Sequence, residues 1–296
     1  MGDRGDMDVS AWERAGTRRS VGGRDLFVME QGRDQPGDTV VVLHGFPTCS
    51  LDWRDAIARL AQRRRVVAID FLGFGLSEKP DQRYSLFEQA DLVEVLVGAL
   101  GIERAVLMSH DMGDSVAGEL LARSITGDLG FEVTARVVSN GSIYLGMAHL
   151  TDGQKLLLSL PDEMVAGDSA PTVELLVAAL RATCAPDADV PEGELVALAE
   201  LIVRDGGNRL LPRTIRYVEE RREHEGRWTG AIERHPAPLT IVWGDVDPIA
   251  VWPMAERLHT ANPDSTLVRL PGIGHYPMLE VRDAFGAALE HALDVG

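Results

Sequence analysis

At 296 residues the chain is long enough for one large α/β domain, or for a core that carries a smaller insert, and either can bury a full hydrophobic core. With 45% hydrophobic and 25% charged residues its composition is that of a soluble globular protein, and no run approaches the ~20 apolar residues a membrane span requires. The 46 acidic against 29 basic residues leave a formal charge of −17, which argues against nucleic acid and anionic membrane surfaces as partners.

The first residues, Met1 to Asp8, are polar and acidic where a secretory signal would be basic and then apolar, so the expected location is cytoplasmic and the start is expected to be flexible. After this leader, Asp25 to Gly32 and Thr39 to Leu43 read as strands, the second a β-branched run suited to a strand covered on both faces. Leu51 to Gln62 can form a helix, Val66 to Ile69 is a strand, and Phe87, Ala90, Val93, Val97 and Leu100 fall on one helical face. Ala105 to Ser109 then reads as strand, Gly113 to Arg123 as helix and Arg136 to Ser139 as strand. This alternation predicts an α/β fold with a mostly parallel sheet flanked by helices.

From about Ser142 to His235 the rhythm breaks, because helical patterns such as Val173 to Arg181 and Glu192 to Arg204 follow one another without a strand between them. We read this as an inserted helical cap. Beyond His235-Pro236-Ala237-Pro238, Leu239 to Trp243 and Thr266 to Leu270 resume the sheet, and Asp283 to Leu293 is a last helix. The expected division is thus a first part of the core at 1–141, the cap at 142–235 and a second part of the core at 236–296. Cap leucines Leu156, Leu160, Leu176 and Leu180, with Met147, could line an apolar pocket, but their helical spacing favours the cap's own core.

The segment Ser109-His110-Asp111-Met112-Gly113-Asp114-Ser115 carries the most chemistry. It joins a predicted strand to a helix through small residues two before and two after Asp111, the context in which a sharp turn projects a strained nucleophile. A carboxylate attacks carbon without first losing a proton, but the resulting ester must then be hydrolysed. An aspartate there is also a common helix N-cap. Upstream, Val41-Val42-Leu43-His44-Gly45-Phe46-Pro47 places a glycine turn at the end of a strand, so the amides of Phe46 and Met112 are the expected oxyanion hole. His44 and His110, beside these turns, suit supporting roles.

Of eight histidines, His275 alone sits in a glycine-rich loop after a strand near the C-terminus, Gly272-Ile273-Gly274-His275-Tyr276-Pro277, and is the best base. It could alternatively be a capping or surface histidine. Trp243-Gly244-Asp245-Val246-Asp247-Pro248 offers two acids to orient it. The order nucleophile, acid, histidine is that of α/β-hydrolase triads.

These motifs, together with Trp53 and Asp70-Phe71-Leu72-Gly73-Phe74-Gly75-Leu76-Ser77, resemble the α/β-hydrolase superfamily over nearly the whole chain, and specifically its aspartate-nucleophile branch of epoxide hydrolases and haloalkane dehalogenases. Ser139-Asn140-Gly141, Arg227-Trp228-Thr229-Gly230-Ala231 and Gly274-His275-Tyr276-Pro277 are also similar to mesoderm-specific transcript proteins. The resemblance implies Asp247, ahead of Asp245, as the orienting acid. It also implies that a dehalogenase would carry halide-binding side chains where this chain has Phe46 and Met112, neither of which can donate a hydrogen bond. An epoxide hydrolase uses cap tyrosines instead. Tyr217, in Arg216-Tyr217-Val218-Glu219-Glu220-Arg221-Arg222, is placed like one of them, and Tyr144 at the cap entrance is the candidate for the other.

The expected activity is therefore hydrolysis of an epoxide to a diol through an ester on Asp111, with a haloalkane dehalogenase or another aspartate-nucleophile hydrolase as the alternative and a non-catalytic binding relative behind it. The expected partners are a small apolar epoxide and water, with no nucleic acid and no membrane; a homodimer stays open. No metal or organic cofactor is implied, because Cys49 and Cys184 lie far apart and no cluster has ligand spacing.

Overall fold

Runs of β-branched and apolar residues that are buried at every position form the centre of the molecule, which a computed structural model describes for residues 9–295. In chain order the strands are β1 (Thr17–Val21), β2 (Arg24–Gln31), β3 (Thr39–Leu43), β4 (Val66–Ile69), β5 (Arg104–His110), β6 (Glu132–Ser139), β7 (Leu239–Gly244) and β8 (Thr266–Leu270). Among the described residues they make one sheet in the spatial order β1-β2-β4-β3-β5-β6-β7-β8. The β1/β2 and β2/β4 pairs are antiparallel, and every later neighbour pair is parallel. β3, β4 and β7 are buried at every residue, as parallel strands covered by helices on both faces must be.

The helices of the core are α1 (Val9–Ala15), α2 (Arg54–Leu60), α3 (Leu86–Ala99) and α4 (Met112–Thr126). Between β6 and β7 come α5 (Asp152–Ser159), α6 (Val173–Arg181), α7 (Glu192–Val203), α8 (Leu211–Thr214) and α9 (Tyr217–Arg234), with no strand among them. The chain ends in α10 (Trp252–Ala261), α11 (Pro277–Glu280) and α12 (Arg282–Val295). Local sequence accounts for several boundaries. Thr151 caps α5 in a reciprocal capping box with Gln154, and Ser85 and Thr172 cap α3 and α6.

Two expectations change. The first element expected was the strand at Asp25, so α1 and β1 ahead of it were missed, whereas the flexible start expected at Met1 to Asp8 lies outside the described residues. The helix predicted from Leu51 opens instead as a 3-10 turn, Ser50–Trp53, and becomes α-helical only at Arg54. None of the described helices is long and apolar enough to cross a membrane.

Candidate active site

The carboxyl ends of β3, β5, β7 and β8 converge on one region, and each supplies a turn. Between β5 and α4 the turn residue is Asp111, held at φ 49° and ψ −113°. A side chain in that region of backbone space costs on the order of 1–3 kcal/mol and persists only where its surroundings enforce it. Gly113 is part of the enforcement: a Cβ there would stand 2.3 Å from the Leu43 carbonyl oxygen, so only glycine lets α4 come this close to β3. Asp111 is the residue preceding α4, yet its side chain makes no capping bond to that helix. Its Oδ2 instead accepts the backbone N–H of Phe46 at 2.9 Å.

That bond depends on the β3 turn lying against the β5 turn. A Cβ on Gly45 would come within 2.8 Å of both Asp111 Cβ and His110 Nδ1. His44 fixes the same turn from behind: its Nε2 accepts the Phe71 N–H at 2.9 Å, so Nδ1 carries the proton and donates to the Gly45 carbonyl at 2.8 Å. Complete burial lowers the His44 pKa. Its ring is neutral, bonded at both nitrogens to backbone, and has no free position from which to move a proton. The N–H of Met112, the first residue of α4, is one of the helix's leading amides, which lack intrahelical acceptors.

His275, in the turn after β8, is 1% exposed, which removes the reading of a surface histidine. Its Nδ1 lies 2.8 Å from Asp247 Oδ2. Burial alone would lower the His275 pKa, but the adjacent Asp247 charge, its hydrogen bond and the Asp111 charge outweigh burial and raise it to about 9. Asp247 is itself held from three sides. Its Oδ1 accepts the N–H groups of Ile249 (2.7 Å) and Ala250 (3.1 Å), and its Oδ2 accepts Asn140 Nδ2 at 2.8 Å. Asp245 faces elsewhere, bonding Arg269 Nε and the Gly272 N–H at 2.7 Å each, so the structure brings Asp247 and not Asp245 to the histidine. His110 lies behind His275 and donates from Nε2 to the His275 carbonyl at 2.8 Å. Burial and the His275 charge lower the His110 pKa to about 4, so it stays neutral.

Asn140 is the clearest residue that the sequence reading passed over. It follows β6 at φ 47°, donates to Asp247 and accepts the Gly244 N–H on Oδ1 at 3.1 Å, tying the β6 turn to the β7 turn. An asparagine before glycine at the carboxyl end of a predicted strand was the available signal.

Above the turns lies a cavity of about 550 Å³, floored by Phe46, Pro47, His275 and Tyr276 and walled by the helices between β6 and β7. Leu156, Leu160, Leu176 and Leu180 line it; Leu176 and Leu180 also belong to the buried core as expected, whereas Leu156 is exposed at the wall and Met147 packs on the core outside the lining. Leu156 and Leu175, each 62% exposed, stand where the wall meets solvent. Asp111 lies one hydrogen bond behind Phe46 and is 2% exposed.

The two predicted tyrosines separate. Tyr217 is buried, its ring 5.5 Å from that of Phe46, and burial and the nearby Asp111 charge raise its pKa. Tyr144 is a correction: its hydroxyl donates to Glu233 at 2.8 Å and its ring lies 3.9 Å from the Arg257 guanidinium carbon, whereas Tyr217 stays beside Phe46; neither ring is part of the cavity lining. A carboxylate acceptor on α9 and a stacked cation hold Tyr144 away from the turns.

Two further buried groups support the Asp111 turn. Arg221, one helical turn after Tyr217 on α9, stacks on the Tyr217 ring at 5.0 Å, donates from Nε to Ser115 Oγ at 2.6 Å and reaches the Asp111 carbonyl at 3.3 Å. Asp114 accepts the Ser109 hydroxyl, and burial, working against that bond and the Arg221 charge, raises its pKa to about 8. No cluster of His, Cys, Asp or Glu with the arrangement of a metal site occurs among the described residues.

Comparison with known proteins agrees with this architecture. Over 289 residues the chain is 40% identical to LipZ of Mycobacterium tuberculosis, a protein named as a hydrolase, covering 95% of this chain and 96% of that one. It is 34% identical to the mesoderm-specific transcript protein of Mus musculus, over 92% of this chain and 84% of the relative. Among solved structures, Cfl2 from Burkholderia cenocepacia superposes with a TM-score of 0.77 at 24% identity, covering 93% of this chain and 94% of that one, a likeness of fold. Residues 40–288 match the model of the alpha/beta hydrolase family, and with the sheet order and the three turns described above this places the chain in that family.

Proposed function

We propose that the protein is an epoxide hydrolase that opens its substrate through a covalent ester on Asp111. The observation that carries this reading is the bond from the Phe46 N–H to Asp111 Oδ2. In a serine hydrolase such a backbone donor stabilises an oxygen of the substrate. Here it holds one carboxylate oxygen of the turn residue itself, which leaves Oδ1 as the attacking atom.

Once Oδ1 has bonded to a ring carbon, Oδ2 becomes the ester carbonyl, already seated where its negative charge develops when water attacks Cγ. His275, oriented by Asp247, takes a proton from that water. The apolar wall of the cavity supports an apolar substrate, and Phe46 and Met112 offer no side-chain donor to a departing halide, which favours the epoxide over the haloalkane. Tyr217, packed on the Phe46 ring and outside the cavity lining, supports the same reading from behind the turn, where Arg221 stacks on it and reaches the Asp111 carbonyl.

A single turnover in ¹⁸O-labelled water tests the ester. The expected outcome is unlabelled diol from the first turnover, with the label appearing in the peptide that contains Asp111. Label entering the diol directly in that turnover would refute attack by Asp111, and absence of diol across a panel of aryl and alkyl epoxides would remove the epoxide from the proposal.

A further inference from the structure

Opening an epoxide leaves an alkoxide, a far poorer leaving group than a carboxylate, so the group that hands it a proton must face the bound substrate. On the cavity floor two residues carry acidic hydrogens, His275 and Tyr276. His275 is committed to Asp247 through Nδ1, and its other nitrogen serves the hydrolytic water. The Tyr276 hydroxyl has a single long contact, 3.5 Å to the Phe46 carbonyl oxygen. Residue 46 thus lies between the two partners of the chemistry: its N–H holds Asp111 Oδ2, and its C=O marks the place of the Tyr276 hydroxyl. The Tyr276 ring is fixed by its neighbours, 5.0 Å from His275 and 5.4 Å from His110, so the phenol is positioned by the same turn that supplies the base.

We infer that Tyr276 is a catalytic residue of the ring-opening step, donating its phenolic hydrogen to the epoxide oxygen from the cavity floor while Asp111 attacks the ring carbon. The inference rests on the proposed epoxide reading and adds a donor to it.

In the first step the Asp111 Oδ1 to carbon bond forms, the ring carbon to oxygen bond breaks, and the ring oxygen takes the proton of Tyr276, leaving a phenolate. In the second, His275 removes one proton from water and the hydroxide adds to Asp111 Cγ. Collapse expels the diol oxygen, which takes the proton held by His275, and leaves Asp111 as the neutral acid. That acid returns the remaining proton of the water to the Tyr276 phenolate, so epoxide plus water becomes diol with every residue restored. Burial and the Asp111 charge both raise the Tyr276 pKa, so the phenol is protonated at the start of each cycle.

The test isolates the first step in a His275→Gln background, where the ester accumulates and is counted by intact-protein mass on mixing with styrene oxide or 1,2-epoxyoctane. Adding Tyr276→Phe is expected to slow ester formation ~100-fold, the usual worth of a positioned acid. Because Phe keeps the ring, the melting temperature reports any loss of fold. Incorporating 3,5-difluorotyrosine at position 276, which keeps the hydroxyl and makes it more acidic, is expected to restore the rate or exceed it. Ester formation within twofold of the His275→Gln parent in the Tyr276→Phe form would overturn the role of Tyr276 while leaving Asp111 esterification standing. A slow Phe form that difluorotyrosine fails to restore would overturn proton donation by the phenol. Absence of ester in the parent, with no diol from the unmutated protein, would overturn both.

Discussion

Replacing Asp247 with Asn tests how the site divides its charge. The substitution keeps the shape of the side chain and the acceptor for the Ile249 and Ala250 amides, but removes the negative charge beside His275 Nδ1. That charge and its hydrogen bond are the main influences holding the His275 pKa at about 9 against complete burial. Without them the value is expected to fall toward or below the ordinary value of ~6.5 for a histidine. At ~1.36 kcal/mol for each tenfold change in proton affinity, this is roughly 3 kcal/mol of net preference for the imidazolium, after burial has opposed Asp247 and Asp111 has added to it. The amide can also present its NH₂ group to the ring and select the wrong tautomer, so hydrolysis of the Asp111 ester is expected to slow ~10³- to 10⁴-fold. NMR titration of the imidazole and rapid-quench measurement of ester decay read the two effects separately. A His275 that still titrated near 9, or an ester that decayed at the original rate, would refute the assignment of Asp247 as the group that charges and orients the base.

Two other predictions concern the same turns. In the free protein His275 is cationic at neutral pH partly because Asp111 is anionic; the ester removes that charge, so ester hydrolysis should accelerate with rising pH through a midpoint below 9, while ester formation, which needs no base, persists through neutral pH. Rapid-quench kinetics across about pH 5 to 10 would show the difference, and a shared midpoint for both steps would count against it. Asn140→Gly removes the amide that joins Asp247 to the Gly244 N–H but tolerates φ 47°, so it is expected to cost ~1–3 kcal/mol in urea unfolding through the buried groups left unpaired; Asn140→Ala should cost roughly 1–2 kcal/mol more from backbone strain. Equal stability of Asn140→Gly and the parent would contradict this.

The sequence exposes the parts of the fold whose physics is local. β3, β4 and β7 are continuous apolar runs because both faces are covered, and the Asp111 turn announces itself through the small residues at 109 and 113, one of which the close approach to Leu43 requires. β1 went unread because four of its five residues are at least partly exposed and its pattern is polar, as an edge strand's can be. Its hairpin was still written in Gly22-Gly23, a two-residue turn with both φ values positive. Tyr276 and Asn140 were hidden for a different reason. Both act through contacts between turns far apart in the chain: Asn140 before Gly141 signals a turn but not the amide's partners, and nothing beside Tyr276 marks a cavity-facing phenol. Tyr144 fails in the same way, since its bond to Glu233 spans 89 residues.

Although α5 to α9 lie in one inserted stretch, they do not stand in the same relation to the site. α9 is built into the core: Arg221 bonds Ser115 and the Asp111 carbonyl, Glu119 on α4 accepts both Arg227 and the Trp228 indole N–H, and the Thr229 hydroxyl reaches the Ile143 carbonyl. Displacing α9 would break all of these bonds at once and leave Glu119 only the Arg123 guanidinium of its own helix. α5 and α6 instead present Leu156 and Leu175 to solvent at the cavity wall. The arrangement gives the two parts different work. Arg221, on the anchored helix and stacked on Tyr217, bonds the Asp111 turn directly, whereas the cavity wall is made by leucines of α5 and α6, two of which reach solvent. Substitution of Leu156 or Leu175, at the solvent edge of the wall, is therefore the change expected to alter which apolar molecule fits, whereas the turn after α6 is tied to the site, since the Thr183 carbonyl accepts the His275 N–H at 2.9 Å.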